Sequence, residues 1–498
     1  MLLFLAACSG GGAQQGDIGF VEGFFGGLIA DEPRAALVGR EVLSAGGTAA
    51  DAAVGAYFAM AVTHPGVASL GGGGVCLLHD ALQIKTEAIE FLPGSSGDGR
   101  FAIPGNIRGM FLLHARYGQL EWSNLLRPAE NFAREGHAVS RAFVRDFEAS
   151  AGALRNDPEG REIFGTAPLR EGQLLRQVEL GVILANLRTR GPGGFYDGVL
   201  GRQFAEAVNA AGGRLTISDL RNYRPQLVEP IRFELGNNFI FFPPRGGGLV
   251  AARVWEIAEA DDRYEDADAA GRAHLILEAA ARSYQAVASS GPSGAVDSAD
   301  ALMRGYSNSQ HRPVQPSVLI REDDGHDGAS IVAVDNQGRT VACSFTMNGP
   351  FGSGVIAPGT GILLANPPGA PRAAMPSLAL VANENVGLTF FAAAGSGPVA
   401  ETVARIAVVT LADAESDMIA AVAAPRVHTA GNPDIVRFED GMPPGEVNRL
   451  RELGHRTELL AKFGRINGFY CPRGLPRVQT CQFVKDPRSF GLAVSSDE

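Results

Sequence analysis

Residues 41–74 read EVLSAGGTAADAAVGAYFAMAVTHPGVASLGGGG and carry the strongest structural signal in the chain. Together with the residues just before them, they predict helices over residues 34–62, and the small side chains of TAADAAVGAYFAMAV suit close helix packing. Gly71–Gly74 then open a strand, where glycine permits a backbone conformation or a close approach that a side chain forbids. The stretch therefore predicts closely packed helices that lead into a β-sheet.

The pattern changes after residues 290–327, a polar segment rich in serine, proline, aspartate and glycine. The segment ASIVAVDNQGRTVACSFTMN alternates around Asn336-Gln337-Gly338 and predicts a β-hairpin. Further elements are predicted as strands over Leu378–Ala382 and Val386–Ala394 and as helices over 104–140, 399–424 and 444–454. A helix-rich half followed by a strand-rich half predicts an α+β or layered α/β architecture.

Composition limits the classes of function. The chain has 498 residues, 45% of them hydrophobic, which is enough for a large core. Acidic residues outnumber basic ones, 54 to 43, and the net charge of -11 argues against nucleic acid as the main partner. There is no P-loop and no G-x-G-x-x-G between a strand and a helix, so no nucleotide cofactor is implied. The nine histidines are scattered without an HExxH motif, and no cysteines have zinc spacing, so no metal site is predicted.

The first residues, MLLFLAA, form an apolar segment that is too short to span a bilayer. They are followed by Cys8, and Leu-Ala-Ala-Cys resembles a bacterial lipobox, in which Cys8 would be lipidated. This interpretation predicts a periplasmic lipoprotein that contacts the membrane only through its lipid anchor. The basic n-region and longer h-region of a normal signal are missing, which indicates that the start codon is placed too late. The alternative is a frayed apolar N-terminus.

The remaining cysteines fall into two pairs of different character. Cys76 and Cys343 lie in apolar, strand-like runs and are predicted to be small buried hydrophobic residues. Cys471 and Cys481 flank a loop rich in proline and glycine, and in an oxidising envelope they are predicted to form a local disulfide.

The order of motifs along the chain resembles that of the γ-glutamyltranspeptidase family. Besides residues 41–74, the motifs that carry the resemblance are PGNIRGMFLLHARYG, GFYDG, GGRLTISDLRNY, PPRGGG, HLILEAAARSY, MNGPFGSG, PGTGILL, AAPRVHT, LGHR and DPRSFG. The resemblance runs from Arg34 to Ala493, and its strength lies in the joint order of the motifs. It implies the N-terminal-nucleophile hydrolase fold, a four-layer αββα sandwich made as a single precursor.

The resemblance also implies a domain organisation and a reaction. A signal-like tether covers residues 1–33, and a single domain covers 34–493, in which 34–327 correspond to a large subunit and 328–493 to a small subunit. In the family, the precursor cuts itself once and exposes a threonine that attacks γ-glutamyl amides such as glutathione. No cofactor is implied, and the implied ligand is a small γ-glutamyl or other amide compound.

The family's nucleophile position can be located by counting along the chain. Residues that match the family pattern without gaps are Asp335, Gly338, Asn348, Phe351 and Gly352. Counting back from them places Gly328 at the nucleophile position, and glycine has no hydroxyl. Ser330 lies two residues further on and would face the same side of a strand, so it is a candidate displaced nucleophile. The alternative for Ser330 is an ordinary strand serine.

The resemblance assigns further roles, several of which the sequence no longer supports. Thr346 matches the threonine that hydrogen-bonds the nucleophile, and Asn348 matches an asparagine that contacts the substrate, although a structural role in the strand is the alternative for both. Leu92 stands where the family has its carboxylate-binding arginine. Ala373 and Ala374 stand where the family has paired serines.

The glycine-rich segment Gly395-Ser396-Gly397 matches the family's substrate-binding backbone, in which two glycines form the oxyanion hole. Here Pro398 takes the place of the second glycine and has no N–H to donate. The family's aspartate that binds the α-amino group has no counterpart in ANPPGAP.

Two hypotheses about function follow from this comparison of residues. In the first, the chain is a γ-glutamyltranspeptidase-like envelope protein whose ordinary site is degraded, and it is unprocessed and inactive or has altered chemistry. In the second, it is an active γ-glutamyltransferase or glutathione hydrolase that uses Ser330 or another repositioned nucleophile.

Overall fold

Two β-sheets stacked face to face form the centre of the molecule, and helices cover the outer face of each sheet. The computed structural model describes residues 25–97, 99–290, 296–315, 317–322, 327–369, 371–412, 415–477 and 480–495. Cys8, the predicted lipidation site, lies outside these residues.

The strands divide at Gly328 into an earlier and a later group. Those before it are β1 (Gly26–Ala30), β2 (Gly73–Asp80), β3 (Lys85–Phe91), β4 (Gly94–Ser95), β5 (Ala102–Ile103), β6 (His137–Ala138), β7 (Leu174–Leu175), β8 (Gln226–Val228), β9 (Ile231–Leu235) and β10 (Asn238–Phe242). Those after it are β11 (Ala329–Asp335), β12 (Thr340–Thr346), β13 (Ile356–Ala357), β14 (Ile362–Leu363), β15 (Ser377–Asn383), β16 (Leu388–Ser396), β17 (Val427–His428), β18 (Val436–Glu439), β19 (Thr457–Leu460), β20 (Arg465–Leu475), β21 (Gln482–Val484) and β22 (Leu492–Ser495).

Most of the helices precede Gly328. They are α1 (Pro33–Ser44), α2 (Ala49–Thr63), α3 (Pro65–Ala68), α4 (Asn106–Tyr117), α5 (Trp122–Glu135), α6 (Arg141–Ser150), α7 (Pro158–Phe164), α8 (Val178–Arg190), α9 (Gly193–Tyr196), α10 (Val199–Ala210), α11 (Ile217–Asn222), α12 (Gly246–Glu259), α13 (Arg263–Asp266), α14 (Ala269–Ser289) and α15 (Ala299–Leu302). The later ones are α16 (Ala400–Leu411), α17 (Met418–Ala423) and α18 (Pro444–Glu452). None of the helices in the described ranges is long and apolar enough to cross a bilayer.

The two large sheets interleave strands from both halves of the chain. The first has the order β22-β1-β11-β12-β2-β3-β8, and the second has the order β21-β20-β16-β15-β10-β9. Apolar side chains between the sheets include Val332 and Leu77 from the first and Leu380 and Ala392 from the second. Helices α1, α2, α4, α5 and α8 cover the outer face of the first sheet, and α12, α14, α16 and α17 cover that of the second. The four-layer αββα sandwich implied by the resemblance is therefore confirmed.

The hairpin that the sequence predicts around Asn336-Gln337-Gly338 is confirmed, because β11 and β12 pair antiparallel in register. The carboxylate of Asp335 holds this turn by accepting hydrogen bonds from the backbone N–H groups of Gln337 and Arg339, each at 3.0 Å. It also accepts one from the N–H of Ala49 at 3.1 Å, at the N-terminus of α2. One side chain thus joins the hairpin to the helix beneath it.

Helix α2 is enclosed on every side, since all of its residues from Ala49 to Thr63 are buried. Thr48 and Asp51 form a capping box that satisfies the backbone donors at its N-terminus. Alanine and glycine at most positions let the backbone approach α1, α5 and β11 closely. The prediction that small residues here permit tight packing is confirmed.

Two disulfides lie in the sandwich, and one of them corrects a prediction. Cys76 on β2 and Cys343 on β12 stand opposite each other in the sheet and form a disulfide between residues 267 apart in sequence. They are buried as the sequence predicts, but the prediction that they serve only as small hydrophobic residues was wrong. Cys471 and Cys481 form the second disulfide, over a separation of 10 residues.

We expect the Cys76–Cys343 disulfide to stabilise the sandwich strongly, because it closes a long loop and so restricts the unfolded chain. The double variant Cys76→Ala/Cys343→Ala should lose roughly 2–5 kcal/mol of unfolding free energy in chemical denaturation. The matched control is Cys471→Ala/Cys481→Ala, which opens a short loop and should lose less. An equal loss in the two double variants would contradict this account.

Candidate functional site

A cavity of about 230 Å³ lies where β12 ends, and Thr346 at the end of that strand is part of its wall. Thr346 and Asn348 line it, as the resemblance implies for a threonine and an asparagine near the reacting group. Leu92 and Ala374 line the same cavity, although 282 residues separate them along the chain. The structure therefore brings together four positions to which the resemblance assigns roles in γ-glutamyl chemistry, and two of them now carry apolar side chains.

Gly328, which the resemblance aligns with the nucleophile position, is buried immediately before β11 and has a backbone φ of +82°, a conformation that side-chain-bearing residues rarely adopt. A Cβ atom added there would lie 2.6 Å from the carbonyl oxygen of Phe345 and 3.1 Å from Cβ of Ser396. The position thus lacks a hydroxyl and, in this conformation, also lacks the space for a side chain that would carry one.

The hydroxyl of Thr346 lies between two polar neighbours. It accepts a hydrogen bond from the backbone N–H of Asn348 at 2.9 Å and donates to a carboxylate oxygen of Asp327 at 3.5 Å. Asn348 has a φ of +54°, and its side-chain amide donates to the carbonyl oxygen of Asn366 at 2.8 Å. Asp327 is missed by the sequence analysis because it sits in a polar segment without a recognisable pattern. The signal in the sequence that could have pointed to Asp327 is its position directly before Gly328.

Ser330 faces the second sheet and is fully buried in a polar network. Its backbone N–H and its hydroxyl donate to one carboxylate oxygen of Asp31, at 2.8 and 3.1 Å. The side-chain amide of Asn467 donates to the Ser330 hydroxyl at 2.9 Å and to the other Asp31 oxygen at 3.0 Å. Burial raises the pKa of the Asp31 carboxyl, and the charge of nearby Arg465 opposes this rise. Ser330 is not among the described residues that line the cavity.

The segment Gly395-Ser396-Gly397 ends β16 next to Gly328. The carbonyl oxygen of Gly395 accepts a hydrogen bond from the Ser344 hydroxyl at 2.7 Å, so it is used to join the two sheets. The hydroxyl of Ser396 is buried and has no hydrogen-bond partner among the described residues. Gly397 has a φ of +87°, and Pro398 after it contributes no N–H. These residues adjoin the nucleophile position, but they are not among the described residues that line the cavity.

Two arginines at the cavity also escape the sequence analysis. Arg245 forms an ion pair with Glu90 at 3.0 Å, and burial raises the pKa of the Glu90 carboxyl, with Arg245 opposing the rise. Arg372 reaches Gly349, where an added Cβ would lie 2.9 Å from its guanidinium. Arg245 belongs to the PPRGGG motif and Arg372 directly precedes Ala373, but only the folded chain shows that both line one cavity.

Comparison with known proteins agrees with the architecture and the motif order. The family model for gamma-glutamyltranspeptidase matches residues 35–96 and 92–368, which is more than half of the chain. The chain belongs to the γ-glutamyltranspeptidase family.

The individual relatives share little sequence identity with this chain. Glutathione hydrolase 3 of Arabidopsis thaliana is 27% identical over 70% of this chain, and the match spans 60% of that protein. The acylase ACY 1 proenzyme of a Pseudomonas strain is 27% identical over 86% of this chain and 87% of its own length. The crystal structure of cephalosporin acylase from Bacillus halodurans superposes with a TM-score of 0.78, covers 99% of each chain and is 21% identical, which shows a shared fold.

Replacing Gly328 by threonine tests whether the nucleophile position excludes a side chain. We expect Gly328→Thr to lose about 1–3 kcal/mol of unfolding free energy, because the new side chain meets both the positive φ and the Phe345 carbonyl. Gly328→Ala should show much of this loss, since Cβ alone makes the contact. The control is Gly359→Ala, because Gly359 has a φ of +68° but open space around it. Wild-type stability of Gly328→Thr in chemical denaturation would refute the exclusion.

Proposed function

We propose that this chain is a γ-glutamyltranspeptidase-like envelope protein whose ordinary γ-glutamyl transfer and hydrolysis site is degraded. The observation that carries the proposal is the conformation of Gly328, which has neither a hydroxyl nor room for one. The chain then stays in one piece, because the residue that would attack and open the small subunit is missing.

The remaining parts of the reaction are affected as well. Acyl transfer needs a nucleophile with an adjacent base and donors that stabilise the oxyanion. Pro398 removes a backbone donor, and loss of a single oxyanion donor lowers the rate by roughly 10²–10³. Leu92 and Ala374 replace groups that would hold the substrate's carboxylate, and both face the cavity. Together these changes support loss of ordinary γ-glutamyl turnover.

The cavity favours a small ligand with an apolar part and an anionic end. Leu92, Val75 and Met375 supply apolar walls, while Arg372 and Arg245, which is paired with Glu90, also line the space. Arginine binds carboxylates through paired hydrogen bonds. A small γ-glutamyl or other amide compound that carries a carboxylate therefore suits this cavity.

The alternative function is an active γ-glutamyltransferase or glutathione hydrolase with Ser330 as the nucleophile. The carboxylate of Asp31, within hydrogen-bond distance of the Ser330 hydroxyl, is the feature that favours it, because a serine nucleophile needs a neighbouring base. Burial of Ser330 outside the cavity opposes it. An acylase-type reaction, as in the name of the Pseudomonas relative, would face the same lack of a nucleophile at Gly328.

An envelope location is the remaining part of the proposal. Buried and local disulfides suit an oxidising compartment, and Cys8 would supply a lipid anchor as the sole membrane contact. The net charge of -11 argues against nucleic acid as a partner.

Electrophoresis under reducing conditions tests processing. Reduction is essential, because the Cys76–Cys343 disulfide joins the segments on either side of Gly328 and would hold a cleaved chain together. We expect a single band near 52.1 kDa, less any removed signal, with and without reductant. Two bands that appear only after reduction, with a new N-terminus at Gly328 or Ser330, would contradict the proposed loss of processing.

A γ-glutamyl-anilide assay separates the two functions. We expect wild type and Ser330→Ala to release no more product than buffer. The control is Ser344→Ala, because Ser344 faces Ser330 across the sheet and also has a buried, hydrogen-bonded hydroxyl. Turnover by wild type and Ser344→Ala that disappears in Ser330→Ala would instead establish the alternative function.

Lipidation is tested by metabolic labelling with palmitate in a bacterial host. We expect label on the wild-type chain in the membrane fraction and neither label nor membrane retention for Cys8→Ser, because the thiol is the acylation site. Equal retention of both forms would contradict the lipid anchor.

A further inference from the structure

Two histidines and a glutamate meet on the outer side of the second sheet and share no residue with the cavity described above. His274 and Glu278 are one helical turn apart on α14, so they lie on one face of that helix. His455 follows α18 and approaches them from a segment 181 residues away from His274. All three are buried, and their ligand atoms lie within 4.8 Å of one another.

Hydrogen bonding fixes which nitrogen of His274 faces the cluster. Its Nε2 donates to the carbonyl oxygen of Ser307 at 2.8 Å, so the Nδ1 of a neutral ring carries a lone pair. That Nδ1 accepts a hydrogen bond from Nε2 of His455 at 2.7 Å, and a bound ion would take the place of this proton between the two nitrogens. A carbonyl that holds the outer N–H of a histidine while the other nitrogen faces inward is the usual support of a metal-binding imidazole.

Glu278 is oriented by neighbours on both of its oxygens. His311 bonds one oxygen through Nδ1, and Arg282 donates to the other, each at 2.5 Å. His311 is held in turn by Asp434 at 3.0 Å, and its ring stacks on His455 with centroids 4.3 Å apart. A carboxylate oxygen has two lone pairs, so the oxygen that bonds His311 retains one for a cation.

An acidic cavity of about 560 Å³ lies beside the cluster. Four aspartates and two arginines line it, namely Asp261, Asp262, Asp266, Asp268, Arg263 and Arg449. Tyr306 belongs to its wall, and the Tyr306 ring lies 5.7 Å from the ring of His274. Carboxylates in excess around such a space raise the local concentration of cations.

We propose that His274, Glu278 and His455 form a binding site for Zn²⁺. Two imidazoles and one carboxylate match the ligands and preferences of this ion, whereas Mg²⁺ prefers oxygen ligands and retains its water. A water molecule would complete the tetrahedral set. Sequence spacing does not reveal the site, since its third ligand comes from the other side of Gly328.

The site has a structural role in this proposal. His274 and Glu278 precede Gly328 and His455 follows it, so the bound ion would join α14 to the segment after α18. The side chains of Leu277, Val436 and Leu450 already pack together at this junction. Zn²⁺ would therefore stabilise the contact between the earlier and later parts of the chain, independently of turnover at the cavity.

Metal titration of the full, tag-free chain tests the proposal. The protein is stripped with chelator and dialysed, then titrated with Zn²⁺ alone, and bound metal is measured by mass spectrometry. We expect one Zn²⁺ per chain, no equivalent binding of Mg²⁺, and a higher melting temperature with Zn²⁺. Absence of stoichiometric zinc in wild type would overturn the proposal without reference to any variant.

Matched variants locate the ion. Loss of a residue that only supports a metal ligand typically weakens metal binding by roughly 10–100-fold. We expect His274→Gln and His455→Gln, which each remove a ligand, to weaken Zn²⁺ binding by more than this. Both variants should also lose the rise in melting temperature that Zn²⁺ causes. The control His79→Gln alters a buried histidine bound to Thr86 on β2 and should bind as wild type does. Circular dichroism without metal identifies folded variants. Undiminished binding by a folded His274→Gln/His455→Gln variant would overturn the assignment.

Discussion

The enclosure of β11 on all sides is the constraint on which the rest of the structure depends. β1 and β12 flank this strand in its sheet, α2 covers one face, and the second sheet covers the other. All seven of its residues are buried. A polar group in such a place must find a partner inside the protein, because leaving it unsatisfied costs about 1–3 kcal/mol. Asp31 and Asn467 provide that partner for Ser330.

The two ends of β11 differ in their contacts: one end is joined to α2, and the other begins next to Gly328. Asp335 still joins the β11–β12 hairpin to α2, and this contact preserves the geometry of the sandwich. At the other end of β11, Gly328 leaves no room for a Cβ atom, which would lie 2.6 Å from the Phe345 carbonyl oxygen. The scaffold contacts are thus present within a family fold, while Leu92 and Ala374 give the cavity apolar side chains at two positions to which the resemblance assigns polar groups. This combination is the basis of our proposal that the protein keeps the family's architecture without ordinary γ-glutamyl turnover.

Much of the fold follows from local patterns. The helices predicted over residues 34–62 and the hairpin around Gly338 depend on small-residue packing, period-two alternation and a turn signal, all within short windows. The Cys76–Cys343 disulfide could not be predicted in this way, because the burial pattern of each strand contains no information about its partner in the sheet. The same reason applies to the contacts of Ser330, which are made across 299 and 137 residues.

The amino-acid order alone therefore indicates the family, the first helices, the β11–β12 hairpin and the absence of a hydroxyl at Gly328, because each is visible in residue types and their spacing. Tertiary structure decides that Gly328 has no room for a side chain and that Leu92, Ala374 and two arginines share one cavity. These properties depend on distances between segments far apart in the chain, and such distances arise only when the two sheets pack together.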